Sequence, residues 1–130
     1  MTDLADKIEA AGGASRELDA YIAVVMGAWP NTLEAEHSVT DEDEWSIVER
    51  EPDGHKVDRF APPHYTASLD AAMTLVPEGE SYALMTIKDV VHVGIGDTEG
   101  KADFYAVAAT PALALCAAAL RAHKENSDVG

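Results

Sequence analysis

The amino-acid sequence predicts an α+β fold: a small antiparallel sheet layered between helices, an α/β/α sandwich, in the order α-α-(β)-α-β-β-(β)-α. Three observations predict it. Several segments repeat apolar residues at helical spacing, so each has one face to bury. Three later runs, "SYALMTI", "VVHVGIG" and "DFYAVAA", are rich in Val, Ile, Tyr and Phe. Those runs are apolar at both parities, with Tyr82 and Leu84 on one side and Ala83, Met85 and Ile87 on the other, as expected of a sheet covered on both faces. Layering satisfies helices and sheet together. The 130 residues suit a single domain, 1–130.

A helical hairpin is expected over 2–27. Leu4, Ile8 and Ala11 share one face of a first helix, Thr2 can cap it, and Gly12-Gly13 ends it. Ser15 then caps a second helix with the stripe Leu18, Tyr21, Ile22 and Val25, closed by Gly27. Region 28–63 reads as an irregular acidic loop. It holds Asp41-Glu42-Asp43-Glu44, one short edge strand around Trp45, Ile47 and Val48, a turn at Pro52-Asp53-Gly54, and Pro62-Pro63.

An α-β-β-α unit follows over 64–124. Thr66 or Ser68 can cap a helix with the stripe Leu69, Ala72, Met73 and Val76, which Pro77 and Gly79 stop. Lys88-Asp89 reads either as a tight turn or as the middle of one long bent strand from Tyr82 to Ile95. Gly96 to Gly100 is a hairpin loop by composition. In the closing helix Thr110 is the N-cap and Pro111 the first helical residue. Leu113, Cys116, Ala117 and Leu120 form its stripe, Ala114, Ala118 and Ala119 keep it slim, and Arg121, His123 and Lys124 complement its negative end. Residues 125–130 read as a frayed polar tail.

Composition bounds the function. Nine Lys plus Arg against 24 Asp plus Glu give a formal charge of −15, which repels phosphate backbones and anionic membranes. Direct nucleic-acid binding is therefore not expected. The acidity serves solubility or, alternatively, imitates DNA. The single cysteine allows no internal disulfide and suits a reducing cytoplasm. Met1 to Ala11 lacks a basic start and apolar core, so no secretory leader is expected. No apolar run reaches the roughly 18 residues of a membrane span.

No catalytic or metal motif is complete in the sequence. Cys116 sits mid-helix on an apolar stripe, where packing explains it better than nucleophilic chemistry. The histidines His37, His55, His64, His92 and His123 show no metal-ligand spacing. The run from Asp41 fails as a calcium loop, because Trp45, Ser46 and Pro52 stand where an oxygen ligand, Gly and Glu are needed. "VGIGDTEG" lacks the Lys-Ser/Thr of a phosphate loop. No cofactor and no metal are expected. One set remains: Trp45, Arg50, Arg59, His64 and Tyr65. Two arginines near aromatic rings can frame a ring-bearing anion by ion pairing and stacking, and surface scatter is the simpler alternative.

Three blocks in order, "ELDAYIAVVMG" (Glu17 to Gly27), "PHYTASLDAAMTLV" (Pro63 to Val76) and "AATPALALCAAALRA" (Ala108 to Ala122), together resemble the phage ABA sandwich domain family of tailed phages and prophages. In the family's closing helix an Arg follows the Cys; here that position is Ala117. The resemblance spares Ala28 to Pro62. It implies an α-β-α layered fold and a phage or prophage setting, and it carries over no catalytic residue.

The expected function is that of a phage or prophage accessory protein in the host cytoplasm, acting by non-catalytic binding. Its partner would be a small anionic ligand or a host protein, without membrane attachment, and self-association is an option because small sheets leave edges to pair. Three sharper readings stand beside this: a sponge for a nucleotide signal of host defence, an acidic DNA mimic that occupies a host protein, and an enzyme whose site assembles from His64, Asp70 and His92. A structural virion protein is a further possibility.

Overall fold

The structure is a computed structural model that describes residues 4–26, 31–38, 40, 44–76, 79–96 and 102–128, without the side chains of 102, 103 and 124–128. Ten elements follow in chain order: α1 (Leu4–Ala10), α2 (Arg16–Met26), β1 (Thr32–His37), β2 (Trp45–Arg50), β3 (Lys56–Phe60), α3 (Leu69–Met73), β4 (Ser81–Ile87), β5 (Val90–Gly96), β6 (Ala102–Ala108) and α4 (Pro111–Asp128). The protein is thus α+β, with two antiparallel three-stranded sheets, β1-β2-β3 and β4-β5-β6, where one sheet was expected. The chain divides into two compact units. The larger comprises Met1–Ala14 and Tyr65–Gly130, and the smaller, Ser15–His64, is inserted between its parts in sequence.

The two helices expected over 2–27 both form, and they are divided between the units, α1 in the larger and α2 in the smaller. α1 packs on α4 and β6, and α2 on β1 and β2. Region 28–63 is not an irregular loop, since it supplies all three strands of the smaller unit. The strand around Trp45 is central rather than an edge, paired with β1 on one side and β3 on the other. Its Ile47 and Val48 are buried in succession, whereas every residue of β3 is exposed. The Pro52-Asp53-Gly54 turn forms as expected. Glu51 N–H donates to His55 O (2.8 Å), and Gly54 takes φ +96°, which a Cβ would strain.

In the larger unit the core is α4. Thr110 caps it, its Oγ1 accepting from Leu113 N–H at 3.2 Å, with Pro111 in the first turn. Every residue from Ala112 to Leu120 is buried, not only the expected stripe. The reason is that α4 has neighbours on several sides: β5 and β6 beneath it, α1 and α3 alongside. Small side chains allow that many elements to approach one axis. No glycine or proline interrupts the sequence after Pro111 until Gly130, so the helix continues to Asp128 through most of the expected tail. His123 lies within the helix, where Nε2 donates to Leu75 O at 2.5 Å. α3 is shorter than its predicted stripe. It is capped by Ser68 and ends at Met73, and Met73 is exposed while Leu75 is buried.

The register of β4-β5-β6 sorts its side chains. Val91, Val93 and Ile95 pair with Ala108, Ala106 and Phe104, and these positions face the side that α4 covers. Val90 and His92 belong to the opposite, open side, opposite Ile87 and Met85 of β4. Lys88 and Asp89, at φ 49° and 68°, form a two-residue turn and so resolve the alternative of a single bent strand. The Gly96 to Gly100 loop falls at 97–100, outside the described residues, as do the expected closures at Gly27 and Pro77.

One side-chain cluster ties three elements of this unit together. Arg121 on α4 forms a two-point pair with Glu9 on α1 (Nη2–Oε1 2.5 Å, Nη1–Oε2 2.9 Å). It also donates to Asp6 Oδ1 (2.8 Å) and to the Tyr105 carbonyl (2.7 Å). Glu9 Oε2 accepts the Val107 N–H at 2.9 Å. Val107 and Tyr105 present these groups from the side of β6 away from β5, so the cluster occupies that free edge. The Arg121 guanidinium holds the Glu9 carboxyl below its ordinary value, against the opposing effect of partial burial and with help from the Val107 N–H. A carboxyl lowered on folding stabilises fully above its unfolded value and loses that contribution as pH falls through the folded value. Glu9→Gln is therefore expected to destabilise the unit by about 1–3 kcal/mol at neutral pH, with the difference from wild type shrinking as pH falls below the ordinary 4.5. Urea unfolding at neutral and acid pH reads both.

Candidate functional site

The smaller unit contains an open cleft of about 450 Å³ lined by Arg16, Glu44, Trp45, Ser46, Arg59, Phe60 and Ala61. β2 and β3 bring Trp45 and Phe60 to one face, because Phe60 pairs with Ile47, two residues from Trp45 on the same side of the strand. α2 lies over this face, and Tyr21 meets Trp45 edge-on with ring centroids 5.7 Å apart. His37, directly across β1 from Trp45, stacks on the indole at 4.5 Å and 16°. The indole is thus fixed from two directions. Partial desolvation and the Glu17 carboxylate one turn earlier raise the Tyr21 phenol above its ordinary value.

The helix that frames the cleft is rotated from its expected stripe. Asp19, Ala20, Ile22 and Ala23 are buried on α2, whereas Tyr21 and Val25 are exposed. The cause is Arg16. Its Nη1 pairs with the buried Asp19 carboxylate at 2.7 Å, which allows a charged residue to occupy the inner face. Arg16 also donates to the carbonyls of Pro62 (2.7 Å) and Pro63 (3.5 Å) and approaches His64 Nδ1 at 3.1 Å, where the imidazole accepts if its proton is on Nε2. A cation at a helix N-terminus is disfavoured by the dipole, so these partners hold it there. Ser15 caps the same helix through Leu18 N–H at 3.2 Å.

The five residues singled out in the sequence separate. Trp45 and Arg59 line one cleft. His64 adjoins it through Arg16. Arg50 does not reach it. It stands at the far end of β2, five residues and roughly 16 Å along the strand, bonded to Glu34 (3.2 Å) and the Gly54 carbonyl (3.1 Å). Tyr65 belongs to the larger unit, where its carbonyl accepts the Cys116 thiol at 3.3 Å. Cys116 is buried in that core. The sequence reading missed Arg16, Ser46 and Phe60. Arg16-x-x-Asp19 was the available signal for the first, but the proline carbonyls that complete its setting lie 46 and 47 residues away.

The electrostatics of the cleft are balanced. Arg59 is held by Glu36 through two contacts, Nη1–Oε1 at 3.0 Å and Nη2–Oε2 at 3.3 Å, and both side chains are about half exposed. Such an exposed pair is worth only about 0–1 kcal/mol, so Arg59 can exchange Glu36 for a better anion. Arg16, with a buried carboxylate and two carbonyls, is committed to structure. Glu34 and Glu36 are paired with Arg50 and Arg59 on β1's face, and Asp41 to Asp43 of the acidic run lie outside the described residues.

Two other places gather polar side chains. Among the described residues, Glu51, Asp53 and His55 bring three ligand atoms within 4.8 Å of one another, all exposed on the β2–β3 turn. The His55 N–H and ring lower the Asp53 carboxyl, and turn geometry accounts for this grouping. In the larger unit a shallow depression of about 310 Å³ on the open sheet face adjoins Ala83, Met85, His92, Gly94 and Tyr105, with His92 Nδ1 bonded to the Tyr105 hydroxyl. Asp70 lies on α3 against α4, on the covered side, so the sheet separates it from His92. Among the described residues no helix is long and apolar enough to cross a membrane. No family model matches the chain, and no curated protein or solved structure was found to match it.

Arg16→Met removes the cation that pairs with the buried Asp19 carboxylate, and is expected to destabilise the smaller unit by about 3–5 kcal/mol. Arg16→Met with Asp19→Leu removes both charges and is expected to recover most of that loss. Urea denaturation of the two single variants and the double variant measures the coupling.

Proposed function

We propose that the protein acts by non-catalytic binding and takes up a small ring-bearing anion in the cleft of the Ser15–His64 unit. The observation that carries this reading is that Trp45 and Arg59, distant in sequence, line one cleft with Phe60 and Ser46. A volume of about 450 Å³ lies within the range of small-molecule sites. Trp45 and Phe60 offer surfaces for a planar ring, while Arg59, which strand alternation places with Ser46 on the opposite face of the sheet, would turn its fork around the β3 edge to meet the phosphate or carboxylate. The charge of −15 opposes an anion at long range, so affinity must come from these short contacts. A nucleotide of signalling size combines ring and anion, which makes sequestration of a host-defence nucleotide the sharpest version. A phage or prophage accessory role in the host cytoplasm rests on the resemblance of the three sequence blocks, and the layered α/β/α arrangement belongs to the same proposal.

Calorimetric titration with cyclic nucleotides and ADP-ribose derivatives tests the reading. Heat is expected with at least one of them. Trp45→Ala and Arg59→Gln should each weaken binding about tenfold or more, in line with the 1–3 kcal/mol of base–aromatic stacking, and Arg50→Gln should leave it unchanged. Absence of heat across the panel, or equal loss with Arg50→Gln, contradicts it.

A further inference from the structure

The two free edges of the β4-β5-β6 sheet are treated differently. The outer edge of β6 is occupied by the Glu9–Arg121 cluster, which bonds the Val107 N–H and the Tyr105 carbonyl. Among the described residues no comparable side-chain cluster bonds the outer edge of β4, and α4 packs chiefly on β5 and β6. β4 reads Ser81-Tyr-Ala-Leu-Met-Thr-Ile87, without a single charged residue in a chain that is 25% charged. Its apolar side chains are exposed on both faces of the strand. Leu84 is 38% exposed on the covered side, and Met85 (61%) and Ile87 (44%) are exposed on the open side. Edge strands in isolated chains are normally blunted by lysine, proline or a bulge, and β4 carries none of these: its register with β5 is unbroken from Ser81 to Ile87.

We propose that β4 is a self-association edge, and that a second copy of this chain pairs with it antiparallel across a two-fold axis at Leu84. The charge pattern selects the occupant. Two chains of charge −15 repel, and an uncharged strand is a place where they can meet. Full-length pairing sets Ser81 of one copy against Ile87 of the other and brings Leu84 opposite Leu84. One step beyond each end, the same register sets Lys88 of one copy against Glu80 of the other, a half-buried residue whose Oε2 has no hydrogen-bond partner among the described residues, twice by symmetry. This complementarity is self-consistent, since one strand supplies both the acid and the base. It also explains the exposure of Leu84, which face-to-face stacking of the open sides would leave uncovered. The paired sheet has six strands, with both outer edges occupied by Glu9–Arg121 clusters. The interface is small, on the order of 1,000 Å² in total, the lower bound for a specific contact, so micromolar association is expected.

Sedimentation velocity over a protein concentration series tests the proposal with the full chain. A monomer–dimer equilibrium is expected. Leu84→Lys, which sets two like charges opposite each other at the axis, should weaken it at least tenfold, with circular dichroism and thermal unfolding confirming that the variant remains folded. Lys88→Glu should also weaken it, and Lys88→Glu combined with Glu80→Lys should restore it. Val25→Lys, at an exposed site on the other unit, should have no effect. A monomer at all concentrations, a dimer indifferent to Leu84→Lys, or a charge swap that fails to restore pairing would each overturn it.

Discussion

The larger unit depends on the slimness of α4. Nine consecutive residues, Ala112 to Leu120, are buried, and only three of them, Leu113, Leu115 and Leu120, carry a large side chain. A helix of this kind presents a narrow cylinder to every neighbour, so a sheet and two further helices can approach it together. Cys116 belongs to the same logic, as a small apolar side chain whose thiol donates to the Tyr65 carbonyl. α4 packs chiefly on β5 and β6, and Leu84, Met85 and Ile87 of β4 stay exposed.

Each unit is closed by an arginine that pairs with a carboxylate and also supplies donors to backbone carbonyls. Arg121 joins α1, α4 and the rim of β6. Arg16 joins the start of α2 to the Pro62-Pro63 segment, whose prolines have no N–H to offer and whose carbonyls need donors. These committed arginines differ from Arg59, whose only described acidic partner is at the surface. The distinction separates cations that hold the fold from those paired only at the surface, such as Arg50 and Arg59, of which Arg59 lines the cleft.

Much of the larger unit was legible in the sequence. Thr110-Pro111 marked the start of α4, Ser68 was among the capping candidates, and the three β-rich runs formed three strands. The smaller unit was not, although β1 alternates Leu33, Ala35 and His37 with Thr32, Glu34 and Glu36 in strand period. The acidic run Asp41 to Glu44, the Pro52-Asp53-Gly54 turn and Pro62-Pro63 suggested a loop, and nothing local reveals that the partners of Glu34 and Glu36 are arginines on other strands. The same non-locality divided the site residues. Proximity in sequence grouped Arg50 with Trp45, whereas register sends them to opposite ends of β2. Arg16 was silent because nothing near it in sequence reveals proline carbonyls nearly fifty positions away. The rotation of α2 has the same origin, since an aspartate can enter a helix's inner face only once its counter-ion is known.

The claim that α4 is packed around its circumference is tested most directly by replacing Ala112, Ala114, Ala117, Ala118 and Ala119 singly with leucine and measuring stability by urea unfolding. These positions span the helix at about 100° per residue, and overpacking a close-packed site typically costs about 1–3 kcal/mol. The account predicts a loss of that order at every position, with no tolerant face. Neutral or stabilising substitutions recurring every three or four residues would contradict it, by showing that α4 is an ordinary one-faced helix.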